Sequence, residues 1–506
     1  MITVNSKQLA ANTVRALSSA RFFQLIVGLL IVQALWIALT GRYPMAFDED
    51  FHLGIIRLYA NHLSPFWSGQ PPDANAFGAV ARDPSYLYHY LMSFPYRLIR
   101  LFTNDQTIQV IFLRLLNIGL FASCLPLYRR LLLKTGASRA LVHSCLALFI
   151  LVPITPLLAA QINYDNLILP VTALLLLLTV RFRGSLQPRA IDSFTLLQIA
   201  VVGCFGSLVK YAFLPIFLAV LAFLAWQLVR TQGAKNIWPV LLKDFRASWA
   251  RPAAKFLLVV LAMLLILGFE RYGINILRYH TPVPDCGQVL SVKQCSAYGP
   301  WGRDYLLGLA KHTTESPLHY VKEWLYGMWF RCFFAVDGPS TLFETRGPLL
   351  IPALSAVLLV VVSVVAVVGW GRNLRNDKRA TVLALFGLVS GFYVAVLFAQ
   401  QYQMYSQTGM PVAINGRYIL PVLPLLLVLS GLALRAALKR RTVLKSAVTV
   451  VAILSFAWGG GALTYILRSN TTWYWSSPAV RHANQAVQKT LGPITPGNSN
   501  QNAFLR

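Results

Sequence analysis

Apolar runs of about twenty residues recur along this chain, and they leave it few folds to choose from. They stand at 22–39, 141–158, 349–370, 380–399 and 447–467. At about 1.5 Å of rise per residue, each crosses roughly 30 Å of hydrocarbon as a helix. Hydrophobic residues make up 56% of the chain and charged residues 12%, about half the charged share of an ordinary soluble domain. These observations predict an all-α, polytopic transmembrane helical bundle.

The net charge of +28 comes from 45 Lys and Arg against 17 Asp and Glu. Such an excess suits nucleic acid, but its distribution fits membrane topology better. The first apolar run follows Lys7, Arg15 and Arg21 and lacks the Ala-x-Ala cleavage pattern of a removed signal. Placing that end in the cytoplasm and alternating the runs gives about eleven spans. The basic segments 129–139, 181–192, 230–255, 371–379 and 435–445 then fall inside, and nearly all acids fall outside. Residues 193–230 could form one span plus an interfacial piece, but their length better fits two short spans hinged near Lys210-Tyr211, with the lysine at the outer surface, and the charge bias supports that break. The expected organisation is one transmembrane domain over 1–506 in a bacterial inner membrane. Its periplasmic parts are two loops, 41–106 and 279–348, and a tail, 468–506.

Both loops are rich in aromatic residues. Segments 51–63 and 86–102, joined by the proline-rich stretch 65–84, read as amphipathic helices lying in the interface, as do 305–312 and 318–334. Cys286 and Cys295 flank a short polar stretch of the second loop, where an oxidising compartment permits a disulfide. No Cys/His zinc pattern, P-loop or Gly-x-Gly-x-x-Gly turn is present, so a zinc site and a cytoplasmic nucleotide-sugar site are not supported.

In a chain so short of acids, Asp48-Glu49-Asp50 directly after the first span is the leading candidate for chemistry. Adjacent carboxylates repel unless they coordinate a cation, hold a proton or meet a basic ligand. Asp48 heads the motif and is the candidate general base, with Glu49 as a second catalytic acid. Asp50 and His52 are candidates for orienting a substrate. Asp48, Asp50 and His52 together are the candidate ligands if a divalent cation is used, since His52 follows Asp48 by four residues and shares its face on a helix. Lys210 beside Tyr211, and Arg417 beside Tyr418, sit at expected outer helix ends and suit a lipid phosphate. Asp165 could line the same cleft or simply start its helix, and Asp83 could do the same or form a local pair with Arg82.

The string Asp48-Glu49-Asp50-Phe51-His52 on an outer loop after the first span resembles the acidic motif of GT-C-type glycosyltransferases, which use lipid-linked sugars. It is most similar to uncharacterised bacterial GT-C-like membrane proteins bearing Pro-Asp-Glu-x-x-His, with Phe47 in place of the proline. Arg82-Asp83-Pro84-Ser85-Tyr86-Leu87-Tyr88 resembles the start of their second interfacial helix. Lys210-Tyr211 resembles their Thr-Lys hinge, and Asn415-Gly416-Arg417-Tyr418 the Gly-Arg-Tyr entry into a late helix. The resemblance implies a GT-C-like fold and an inverting transfer of sugar from a polyprenyl phosphate to a periplasmic cell-envelope acceptor (glycan, lipid or protein) for polysaccharide biosynthesis. Two other readings stay open: a flippase or transporter of lipid-linked saccharide, and an O-antigen-type polymerase or ligase. The transporter reading lacks an internal repeat or matched broken helices. A polymerase or ligase would be expected to rely on external arginines and histidine rather than an acidic triplet.

Overall fold

The computed structural model describes residues 6–45, 48–310, 316–333, 380–412, 414–438, 441–458, 460–469, 471–475 and 477–494. Among them the chain is helical throughout, with two isolated β-bridges. Among the described residues seven helices are long and apolar enough to cross a membrane, from Ala20–Thr40 to Thr442–Leu467. Arg139–Leu151, Ser193–Val209 and Leu423–Ala437 are shorter apolar helices of the same bundle. The expected span at 349–370 lies outside the described residues. The protein is a multi-pass membrane protein of all-α class.

Helix ends follow local chemistry. Ser19 caps Ala20–Thr40 by accepting from the amide of Phe22 at 3.1 Å, and Asp105 caps Gln106–Ala122 through the amides of Thr107 and Ile108, each satisfying otherwise unpaired donors. The 193–230 stretch breaks where the charge bias requires. Ser193–Val209 stops at Lys210, which is extended, and Leu214–Gln232 resumes after the short 3-10 turn Tyr211–Phe213. The hairpin closes because Gly203 and Gly206 lie against Phe217 and Phe213, where a Cβ would come within 2.1 and 2.5 Å of the rings.

The interfacial segments are helices too. Glu49–Ala60 and Leu87–Arg100 pack side by side in the first loop. Arg97 at the end of the second donates to the carbonyls of Ala60 (2.9 Å) and His62 (2.9 Å), placing a cation on the open carbonyl end of the first. Lipid tails are as apolar as leucine, so polar contacts carry much of the specificity of packing between spans. Buried Asn117 accepts from the Tyr88 hydroxyl (2.8 Å) and from Asn166 Nδ2 (3.0 Å), tying the first loop to two spans. The tail closes the same end. Arg42 donates its amide to Trp473 O at 2.8 Å, and the Trp475 amide donates to Thr40 O at 3.1 Å. The chain leaving the first span is therefore held from both sides.

Candidate active site

Asp48 departs from ordinary backbone geometry. Its φ of 64° is left-handed, a conformation that costs a residue with a Cβ about 1–2 kcal/mol. The turn splits the acidic triplet. Glu49 is driven inward to 0% exposure, while Asp48 keeps 57% of its side chain in solvent and Asp50 is exposed.

Glu49 is fully engaged by protein. Arg114 Nε and Nη2 donate to its two oxygens at 2.8 and 2.7 Å, and the amides of Met45 (2.8 Å) and Ile162 (3.3 Å) complete the set. Arg114, also 0% exposed, spends its remaining donors on the carbonyls of Ala38 (3.0 Å) and Gly41 (2.6 Å). A carboxylate so enclosed has no exposed surface: of the two acids expected to be catalytic, Asp48 faces solvent and Glu49 faces protein. No motif in the sequence marks Arg114 as part of the site. Its signal was an isolated arginine inside an apolar span, where an ionisable group needs a partner.

His52 turns the same way. It is buried and faces His89, Nδ1 to Nε2, at 2.9 Å, while His89 Nδ1 lies 3.1 Å from Ser85 O. A carbonyl only accepts, so His89 Nδ1 carries a proton, its Nε2 accepts, and His52 Nδ1 donates. Burial holds both imidazoles neutral. It lowers His52 well below the usual range, with His89 adding to the shift, and brings His89 down to about 3. The expected set of Asp48, Asp50 and His52 is not assembled for a metal. His52 shares the inward face with Glu49, away from exposed Asp48 and Asp50, and among the described residues no three His, Cys, Asp or Glu groups are placed to hold an ion.

The cations do converge. The 3-10 turn Gly416–Ile419, capped by Asn415 Oδ1 on the amide of Arg417 (3.0 Å), presents Arg417 to the first loop. Its Nη2 donates to Asp48 Oδ2 at 2.8 Å, and its Nε lies 3.9 Å from Asp165 Oδ2. Asp165 also pairs with Lys210, Nζ to Oδ1 at 2.5 Å. Arg417 is 4% and Lys210 5% exposed, so Lys210 is a buried partner rather than the outer-surface charge expected of it. Asp165 opens the Asp165–Ser185 helix, but the amide-capping group there is Asn163, whose Oδ1 accepts from the Asp165 amide at 2.9 Å. Lys210 Nζ stands 4.5 Å from the Tyr164 ring centroid and 4.9 Å from that of Tyr418, a cation–π cage on a desolvated ammonium. Tyr418 is half-buried. Tyr211 donates its amide to Ser85 Oγ at 3.0 Å and accepts from Gln400 on its hydroxyl at 3.3 Å, joining hinge, first loop and the Ala380–Thr408 helix.

Asp83 is partly buried, and its Oδ1 accepts from the Ser85 amide at 2.8 Å. Burial raises its carboxyl above the ordinary aspartate range, against the pull of the Ser85 hydrogen bond and the Arg271 charge. It does not pair with Arg82. That guanidinium reaches Glu270 at 2.5 Å, a partner 188 residues away that sequence proximity concealed. Asp83 and Asp48 both act on Tyr298, whose hydroxyl is raised first by burial and then by the two carboxylates. Tyr298 comes from the second loop, lies 5.7 Å from the Phe51 ring, and follows the Cys286–Cys295 disulfide. It too was missed, since nothing in an isolated loop tyrosine marks its destination.

A scan of protein families returned no match, and neither did a search of curated proteins. Among solved structures, the chain is similar to the crystal structure of ArnT from Cupriavidus metallidurans bound to undecaprenyl phosphate. Identity is 14% and the TM-score 0.42, over 94% of this chain and 71% of that one.

Proposed function

We propose that this chain is an inverting GT-C-type glycosyltransferase, moving a sugar from a polyprenyl-phosphate donor to a cell-envelope acceptor on the periplasmic side of a bacterial inner membrane. The observation that carries the reading is the 2.8 Å contact between buried Arg417 and exposed Asp48, brought together from 369 residues apart. Transfer from a lipid phosphate needs a base for the acceptor and positive charge for the departing phosphate, and this contact holds one of each. The donor phosphate takes over the Arg417 donors now spent on Asp48. The released carboxylate accepts the proton of the acceptor hydroxyl as that oxygen attacks the anomeric carbon. The carbon–oxygen bond to phosphate breaks on the opposite face, its electron pair stays with the phosphate, and Arg417 and Lys210 neutralise the charge. Positioned general-base catalysis contributes about 10²–10⁴-fold. In this reading the loops 41–106 and 279–348 and the tail 468–506 are all periplasmic.

A second reading of the base rests on Asp83, whose burial-raised carboxyl is a stronger base than an exposed aspartate. Both are tested by envelope-glycan mass spectrometry of a deletion strain complemented with wild type, Asp48→Asn or Asp83→Asn. The expected result is that Asp48→Asn accumulates normally in the membrane yet fails to restore the missing sugar, while Asp83→Asn restores it. Full restoration by Asp48→Asn removes Asp48 as base. If Asp83→Asn alone fails, that role passes to Asp83.

A further inference from the structure

The end of the bundle opposite the Asp48–Arg417 contact holds a cavity that the transfer chemistry does not use. The 15-residue helix Leu423–Ala437 starts just after the turn bearing Arg417 and runs about 22 Å away from it. Near its far end, Arg435 lines a cavity of about 580 Å³. The other walls are the helices Ser6–Ser18, Arg139–Leu151 and Thr442–Ala457, which supply Lys7, Val14, Leu141 and Lys445 among the lining residues. Among the described residues that line it there is no Asp or Glu.

The Ser6–Ser18 helix is fixed as a wall rather than trailing in solvent. It packs on Arg139–Leu151 and Thr442–Ala457. At its end His143 Nδ1 donates to Leu17 O at 2.7 Å, while His143 Nε2 accepts from Arg129 Nε at 2.9 Å. The lining combines three cations, each near a helix end, with an apolar surface. A soluble anion has no use for the apolar wall, and a neutral lipid none for the cations. Together they match a phosphate carried on acyl chains.

We propose that this cavity binds an anionic glycerophospholipid of the leaflet opposite the Asp48–Arg417 site, with its phosphate among Lys7, Arg435 and Lys445 and an acyl chain along Val14, Leu141 and Leu434. Basic residues gather at cytoplasmic helix ends in any membrane protein, so the test must separate a shaped site from general surface attraction. Purified full-length protein is exposed to phosphatidylglycerol, phosphatidylcholine or inorganic phosphate, and retained ligand is read by native mass spectrometry. Phosphatidylglycerol is retained selectively, and Arg435→Gln and Lys445→Gln each lower retention about fivefold. Ala11→Trp, which fills the cavity without changing charge, lowers it as well, whereas Lys243→Gln on the separate basic helix Ile237–Trp249 does not. Equal retention of phosphatidylcholine by wild type overturns the proposal. So does displacement of phosphatidylglycerol by an equal concentration of inorganic phosphate, or undiminished retention by an Ala11→Trp protein that melts like wild type. The wild-type comparison of ligands decides the matter even if a variant fails to fold.

Discussion

Removing Arg114 tests whether Glu49 is scaffold or catalyst. In Arg114→Leu, the Glu49 carboxylate keeps the amides of Met45 and Ile162 but loses both charged donors, in a site with no exposure on either side. Breaking a buried pair from one side costs about 3–5 kcal/mol. The carbonyls of Ala38 and Gly41 also lose Arg114 Nη1, so the upper end applies. At about 2.1 cal/mol/K per residue, a chain of 506 residues has an unfolding entropy of roughly 1.1 kcal/mol/K, and the melting midpoint falls by about 5 °C. Glu49→Gln falls by a similar amount, because its amide NH₂ must face an Arg114 donor. The double variant Glu49→Met/Arg114→Leu recovers part of the loss, since no charge is left unpaired. It does not recover all of it, since the amides of Met45 and Ile162 are then orphaned along with the carbonyls of Ala38 and Gly41. The assay is the melting midpoint of purified protein by fluorescence-detected size exclusion, with sugar transfer measured on the same samples. The reasoning is refuted if Glu49→Gln melts like wild type yet abolishes transfer, which would make Glu49 a catalytic acid after all.

Three further outcomes follow from the geometry. His52 and His89 have folded-state pKa values below their unfolded ones, so the unfolded chain binds more protons and stability falls on acidification. With both imidazoles contributing, the slope approaches about 2.7 kcal/mol per pH unit about one unit below pH 6.5, where the unfolded imidazoles are mostly protonated, and a melting midpoint that does not move between pH 7 and 5 contradicts it. Arg417→Lys keeps the charge but loses the planar fork, and its transfer rate should drop at least about tenfold with little change in melting; wild-type turnover would show that point charge suffices. Cys286→Ser/Cys295→Ser opens a loop of sequence separation 9, removing about 2.5 kcal/mol of local constraint. Limited proteolysis should then cut near Tyr298 faster than in wild type, and an unchanged cleavage rate would count against that role.

What the sequence discloses of this molecule tracks the cost of charge in lipid. The spans, the break at Lys210 and the common side of Asp48 and Arg417 are legible because a run either is apolar for twenty residues or is not, and because acids are scarce enough for three in a row to stand out. The division of labour within the triplet is not legible. One left-handed residue at Asp48 decides which carboxylate points inward, and aspartate tolerates that conformation without announcing it. Partners far apart in sequence stay hidden for a related reason. Arg82 beside Asp83 reads as a local pair, and only the packing of the Pro252–Tyr279 helix against the first loop brings Glu270 to Arg82 instead. Tyr298 belongs to the same class, since its place over Phe51 depends on how the second loop folds back.

That helix changes character where it meets the loop. Over Phe269–Gly273 it widens into a π turn, and Arg271, fully buried there, donates to the carbonyls of Val80, Ala81 and Pro65 and to the Tyr59 hydroxyl (3.2 Å) while lying over the Tyr86 ring at 4.4 Å. One guanidinium thus ties the central part of the first loop, from Tyr59 to Tyr86, to a helix that is otherwise mostly exposed. Lifting the loop breaks the Arg82–Glu270 pair and leaves Arg271 only Glu270, at 2.9 Å on its own helix, which costs about 3–5 kcal/mol and makes such an excursion rare. The surroundings of Asp48 are therefore firmly tied on the side of the first loop, against which Tyr298 of the second loop rests through the Phe51 ring.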